Sequence, residues 1–443
     1  MYTLNKFVLL ALCVYSQKAL NQNFEAEAFM PLPLITDWNA FDSDLQAVKN
    51  YGVRTIASDV WWGLVETADQ QFDWSYYNTL SDHIINAGLN WIPIMSTHRC
   101  GGSVGDNCNF PTPSWANING NPDNLFQDIF GATNADSFSP WAGDFPYTQY
   151  DQYFQAFASN FASKTNSIPR IDLSAGSAGE LKYPSYSNPA AGYPTRGRFQ
   201  AYSNAAVSDF RTWALAKYNN DSAQVAAAWS GYTNGKPVQS ASDILPPCQV
   251  TTQALSSGVC AGRNTADDFY SSGYKSQYGQ DFAQWYQGTL VKHTGRIAAA
   301  AHSRFDSVFG IPLNIKIAGV HWRYFDPVEP HSAERSAGYW DYSSLLQGLK
   351  GLGVGVTFTA IEMADNNVAG VYSGANTLAK AFFQTAASLG VQNLGGENAL
   401  SFGSDTSSYG RIQNIITSYP LAGFTLLRYP DLINGAGSTF QQY

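Results

Sequence analysis

Charge is scarce in this sequence: of 443 residues only 13% are Asp, Glu, Lys or Arg, against 44% hydrophobic. That balance excludes a disordered chain or a coiled coil, both of which need many charged residues, and describes a compact globular protein with a sizeable core. Positive charge is the scarcer sign, 25 Lys and Arg against 34 Asp and Glu, for a net charge of -9. A surface of that sign offers no basic face to phosphates, which argues against a nucleic-acid partner and leaves a neutral or cationic ligand. Histidine and cysteine are few, six and five, and neither an HExxH nor a CxxC spacing occurs, so no catalytic metal is expected. No apolar run is long enough to span a membrane, and there is no tandem repeat, low-complexity tract or linker to a separate module.

Aromatic residues, by contrast, are plentiful: 14% of the chain, with 12 Trp. Residues 1–19 place Lys6 before the apolar run 7–15 and end on small and polar residues, the pattern of a signal peptide, so the chain is expected to be secreted. Its removal takes Cys13 with it and leaves Cys100, Cys108, Cys248 and Cys260. Three pairings are open to these four, of which Cys100 with Cys108 and Cys248 with Cys260 are the local ones. An oxidising compartment permits both, and the sequon Asn220-Asp221-Ser222 agrees with export.

Short β-rich runs alternate with longer amphipathic stretches from residue 24 to 443, which reads as repeated βα units in a single domain. Eight candidate strands begin near Phe29, Val53, Trp91, Ile171, Leu313, Gly355, Val391 and Gly423. Helix-like spacing fills 41–51, 74–87, 149–164, 203–217, 280–304, 342–350, 378–389 and 408–418. Eight of each predict a closed (β/α)8 TIM barrel rather than an open doubly wound sheet. Three long excursions, 98–147, 180–202 and 321–341, all follow strands, so they are expected to wall a deep cleft at the C-terminal mouth. The stretch 219–278, rich in Ser, Gly, Pro and Thr, falls between a helix and the next strand and reads as peripheral padding pinned by a disulfide.

The polar residues at or just past the strand ends are Asp59, His98 with Asp106, Glu180, Lys316 and His321, Thr359 with Glu362, Glu397 with Asn398, and Arg428. Any one of them also suits a cap, a turn or an ion pair; together they outline a site. Glu180 and Glu397 each follow glycine, which lets backbone and ligand come close. They end strands four and seven, on opposite walls of an eight-stranded barrel. Glycosidic cleavage needs such a pair, one carboxyl to protonate the leaving oxygen and one carboxylate acting from the other face. Asp59 in DVWWG sits beside two indoles, a combination suited to sugar hydroxyls and C–H faces, and Trp115, Tyr183, Tyr186 and Trp322 are further aromatic candidates. The glycine-rich loop 101–106 lacks the Lys-Ser/Thr ending of a phosphate loop and reads as a flap over the site.

At this point the sequence resembles the β-amylase family. The resemblance is carried by DVWWG at 59–63, MSTHRCGGSVGD at 95–106, GELKYPSY at 179–186, KIAGVHW at 316–322, FTAIEM at 358–363, GENAL at 396–400 and LLR ending at Arg428. It runs from about Phe29 to Arg428, and QFDWSYY at 71–77 with the pair Cys100 and Cys108 looks closer to bacterial than to plant members. The resemblance implies a (β/α)8 exo-hydrolase that removes β-maltose from non-reducing ends of α-1,4-glucans such as starch or glycogen, with inversion. Glu180 would be the general acid and Glu397 the general base. Asp59, His98, Asp106, Lys316, His321, Thr359, Asn398, Ala399 and Arg428 would bind the glucosyl units, with Thr359 on an inner loop that moves with substrate.

Two departures touch smaller matters: Ser103 stands where the family's flap usually has Asn, and Lys182 where Arg usually follows Glu-Leu. Bacterial members can hold calcium with several carboxylates; Glu66 and Asp69 fit, but Gln149 and Gln152 stand where Glu is expected, so no cofactor or metal is expected. The chain ends soon after Arg428, so no separate starch-binding domain is expected, and a monomer is. Two other readings compete: a non-catalytic glucan-binding or sensing protein on the same barrel, and a barrel glycosidase that retains configuration.

Overall fold

The computed structural model describes residues 24–101, 106–248, 258–261, 263 and 268–443. The expected signal peptide, Cys13 and Ser103 lie outside the described residues. Eight parallel strands, β1 (Glu25–Phe29), β2 (Thr55–Trp61), β3 (Asn90–Ser96), β4 (Ile171–Leu173), β5 (Leu313–Ile317), β6 (Gly355–Phe358), β7 (Leu394–Glu397) and β8 (Leu421–Leu426), pair in chain order, and β8 returns to β1 to close the barrel. Around them run α1 (Trp38–Asn50), α2 (Ser75–Asn86), α3 (Phe145–Phe161), α4 (Asn204–Lys217), α5 (Gln277–Phe305), α6 (Tyr342–Gly351), α7 (Ala375–Ser388) and α8 (Thr406–Ser418). The (β/α)8 expectation holds. No helix among the described residues is long and apolar enough to cross a membrane.

Polar side chains fix the first turn of several helices, and three of these, α1, α5 and α8, start two or three residues before the predicted runs. Asp37 accepts from Ala40 N, Ser276 from Gly279 N, Asp341 from Ser343 N and Ser344 N, and Asp405 from Ser407 N and Ser408 N. Each bond satisfies an amide that a helix start otherwise leaves bare. The first strand differs more. It is Glu25–Phe29 and ends where the predicted run begins, because Pro31 and Pro33 cannot donate to a ladder on both sides.

Strand β1 instead turns Glu27 into the barrel interior, where a buried charge needs partners. Arg170, just before β4, supplies them: Nη1 and Nη2 donate to Glu27 at 2.8 and 2.9 Å, and Nε donates to Asp172 at 2.6 Å. Thr425 of β8 adds a hydroxyl to Glu27 at 2.6 Å. Burial works against the guanidinium charge, but Asp172 and Glu27 push its pKa up overall. This network ties three parts of the barrel below the mouth.

Both local disulfides form, Cys100–Cys108 in the loop after β3 and Cys248–Cys260 between α4 and α5. The second does more than pin padding. Trp229, Phe269, Tyr270 and both cysteines of that segment are buried, and the Tyr202 hydroxyl donates to Pro247 O at 2.6 Å. These buried residues join the hydrophobic core around α5. The three long excursions leave the C-terminal ends of β3, β4 and β5, as expected for loops that build a mouth.

Candidate active site

Glu180 follows a tight turn, Ser177–Gly179, and is itself in extended backbone. The next amide, Leu181 N, donates to Lys316 O at 2.8 Å, so this segment lies along β5. In extended chain, residues two apart point the same way. Lys182 therefore reaches the Glu180 carboxylate, with which it makes a close ion pair. On the other side Thr359 Oγ1, just past β6, donates to Glu180 Oε1 at 3.3 Å while accepting from Gly319 N at 2.8 Å.

Glu397 is the last residue of β7 and is buried. Lys316, inside β5, places Nζ 2.8 Å from Glu397 Oε2 and 3.9 Å above the ring of Phe29. Burial pushes the Glu397 pKa up; the Lys316 charge opposes this, and the negative charges of Glu180 and Asp172 add to it. The two carboxylates therefore feel one another inside one polar centre.

The remaining expected residues divide into those that face this centre and those that brace it. Arg428 donates to Met30 O at 2.6 Å; burial lowers its pKa, against which the charges of Asp59, Glu397 and Asp106 act. Asp59 is held by the Ser96 hydroxyl at 2.7 Å, and Asp106 accepts from Gly101 N at 3.1 Å beside the disulfide. His98 bonds Ser174 Oγ through Nδ1 at 2.9 Å, and burial lowers its pKa. His321 bonds Ser373 Oγ through Nδ1 at 2.8 Å and is lowered to about 4, again by burial. Both rings are neutral near pH 7, suited to hydroxyl groups rather than to anions.

Asn398 does not face the cleft. It is fully buried, and its side chain is taken up by Leu400 O, Leu427 O and Leu427 N. Ala399 N donates to Glu362 Oε1, so that amide is not free for a ligand either. The glycines also act differently from expectation. A Cβ on Gly179, whose φ is +76°, would lie 2.9 Å from His98 Cε1, and one on Gly396 would lie 2.6 Å from Ile361 Cδ1. They make room for neighbouring side chains rather than for ligand. Of the aromatic candidates, Trp61 packs against His98 and Phe110, whereas Trp62 turns outward to Trp115, Phe138 and Tyr150. Tyr183 is buried against Tyr286, and Tyr186 with Trp322 stays near Lys182.

Lys182, Ser174 and Ser373 hold site groups but were not among the expected site residues, while Glu362, expected at the mouth, holds the loop after β7. Only Lys182 had a local signal, its two-residue spacing from Glu180. Calcium is a poor match to the donors present. Both oxygens of Glu66 already accept, from Trp62 Nε1 at 2.5 Å and Gln70 N at 2.8 Å, and its pKa is raised by burial and by the Asp69 charge. The buried amide oxygens of Gln149 and Gln152 meet no donor among the described residues but are neutral, whereas calcium favours several carboxylates among six to eight oxygens.

A closed parallel barrel carrying a carboxylate after β4 and another at the end of β7, each paired with its own lysine, defines a barrel glycoside hydrolase. Comparison with known proteins places it within that class. The model of Glycosyl hydrolase family 14 matches residues 28–443, and the chain belongs to that family. It is 44% identical over 437 residues to a "Beta-amylase" of Cytobacillus firmus, covering 96% of this chain and 87% of the relative. It is also 44% identical to the "Beta/alpha-amylase" of Paenibacillus polymyxa, of whose length it spans only 34%. The crystal structure of the catalytic domain of β-amylase from that organism superposes with a TM-score of 0.85 at 44% identity, over 95% of this chain and 97% of the other. The bacterial leaning of the motifs agrees with these relatives.

Proposed function

We propose that the protein is a β-amylase that hydrolyses α-1,4-glucosidic linkages of starch- or glycogen-type glucans and releases β-maltose from non-reducing ends with inversion. The observation that carries this reading is the pairing of Glu180 with Glu397 about Lys316. Glu180 is the general acid, donating to the glycosidic oxygen while Thr359 and Lys182 fix its carboxyl. Glu397 is the general base. Its raised pKa makes it a stronger proton acceptor for water than an ordinary glutamate once ionised, and Lys316 keeps the ionised form accessible. Asp59, Asp106, Arg428 and the neutral imidazoles of His98 and His321 take sugar hydroxyls, and Asn398 and Ala399 contribute by bracing the loop after Glu397. The reaction needs no metal, and the enzyme acts as a monomer. Export fits the two disulfides.

Maltopentaose labelled at its reducing end tests the reading. The expected first products are unlabelled maltose and labelled maltotriose. A spread of labelled short products would mean cleavage inside chains, and binding without turnover would favour the glucan-binding alternative.

A further inference from the structure

The loop after β6 carries Thr359, bonded to Glu180, and the loop after β7 starts at Glu397. Two kinds of bond join them. Ile361 N donates to Glu397 O at 3.3 Å, and Glu362 Oε1 accepts from both Ala399 N and Leu400 N at 3.0 Å. Glu362 is itself anchored, since Arg411 Nε donates to its backbone oxygen at 2.6 Å. Its side chain is 2% exposed, and Oε2 has no partner among the described residues.

A buried carboxyl with one oxygen doing all the accepting is a costly way to fill space, and an apolar side chain would fill it better. We infer that Glu362 is a positioning residue for the hydrolysis, its carboxyl locking the loop that begins at Glu397 onto the loop that presents Thr359 to Glu180. The inference rests on the assignment of Glu180 and Glu397 as acid and base. Through it the two catalytic groups are held at a fixed spacing by a strut that touches neither substrate nor reacting atoms. Burial pushes the Glu362 carboxyl up to about 7, so in mildly acidic solution it accepts both bonds without adding a further negative charge near Glu397.

The test compares Glu362→Ala, Glu362→Gln, Glu397→Gln and the unaltered enzyme on maltopentaose, with folded fraction and melting temperature measured for each. Glu362→Ala is expected to lower kcat about 10- to 100-fold, with KM changed less than about threefold, because a displaced base costs rate rather than binding. Glu362→Gln keeps an oxygen that accepts both amides and is expected to recover kcat to within about fivefold. Three results would overturn the inference: kcat per folded molecule of Glu362→Ala within about threefold of the unaltered enzyme, a loss confined to KM, or Glu362→Gln as slow as Glu362→Ala. Glu397→Gln separates the two claims. If it stays active, the assignment of the base fails; if it is inactive while Glu362→Ala turns over normally, only the strut fails.

Discussion

Removing the Lys316 charge should move the pH dependence of the enzyme in a definite direction. The base works ionised, so the acidic limb of kcat/KM follows the titration of Glu397 in the free enzyme. Burial raises that pKa, and the Lys316 ammonium at 2.8 Å pulls it back. An opposite charge this close is worth about 1 to 3 pH units. Lys316→Met keeps an unbranched apolar stem but drops the charge that lies over Phe29, so the protonated form of Glu397 persists to higher pH and the limb should rise by about 1 to 3 pH units. Well below the limb, kcat/KM would fall by the matching factor, about 10- to 1000-fold. The assay is kcat/KM on maltopentaose across the acidic range, with circular dichroism at each pH to confirm folding. Lys316 is also a proposed glucan contact, so a uniform loss at all pH values would report lost binding. A limb that stays in place or moves down would refute the electrostatic argument.

Four further outcomes follow from the geometry. Glu180→Gln and Glu397→Gln should each lower kcat by roughly 10³-fold or more while substrate binding survives, measured by single turnover and calorimetry; near-normal turnover removes that residue from its role. Gly179→Ala forces a methyl to 2.9 Å from His98 at a φ of +76° and should cost about 1–3 kcal/mol with a raised KM, read by thermal melts and kinetics; an unchanged melt and KM would show the turn relaxes freely. The Glu362 carboxyl binds its proton more tightly folded than unfolded, so stability should fall as pH rises from the ordinary glutamate range through about 7, by at most about 3 kcal/mol. Glu362→Gln should flatten that fall in denaturant titrations, and identical curves would refute it. Chelation with EDTA should leave the melting temperature unchanged, because both oxygens of Glu66 already accept N–H donors and Gln149 and Gln152 offer only neutral oxygens; a drop would restore the calcium site.

The barrel was legible because its strands are short apolar runs and its helices keep one apolar face, as in α6 and α7, where Leu345, Leu346, Leu349, Leu378, Phe382 and Phe383 are buried. Strand β1 was not, because EAEAF holds two glutamates and no β-branched residue, and its inward Glu27 depends on Arg170, far off in sequence. The carboxylates were legible from position, each at a strand end after glycine. What holds them was less so. The roles of Ser174, Ser373 and Glu362 come from loops that meet only once the barrel closes, and the same closure turns Asn398 inward and Trp62 outward.

In the proposed reaction water, activated by Glu397, attacks the sugar from the face opposite the bond that Glu180 protonates. Proton NMR of freshly released maltose, recorded before mutarotation, reads this directly. The β-anomer should form first and the α-anomer grow in later; α-maltose as the first product would rule inversion out.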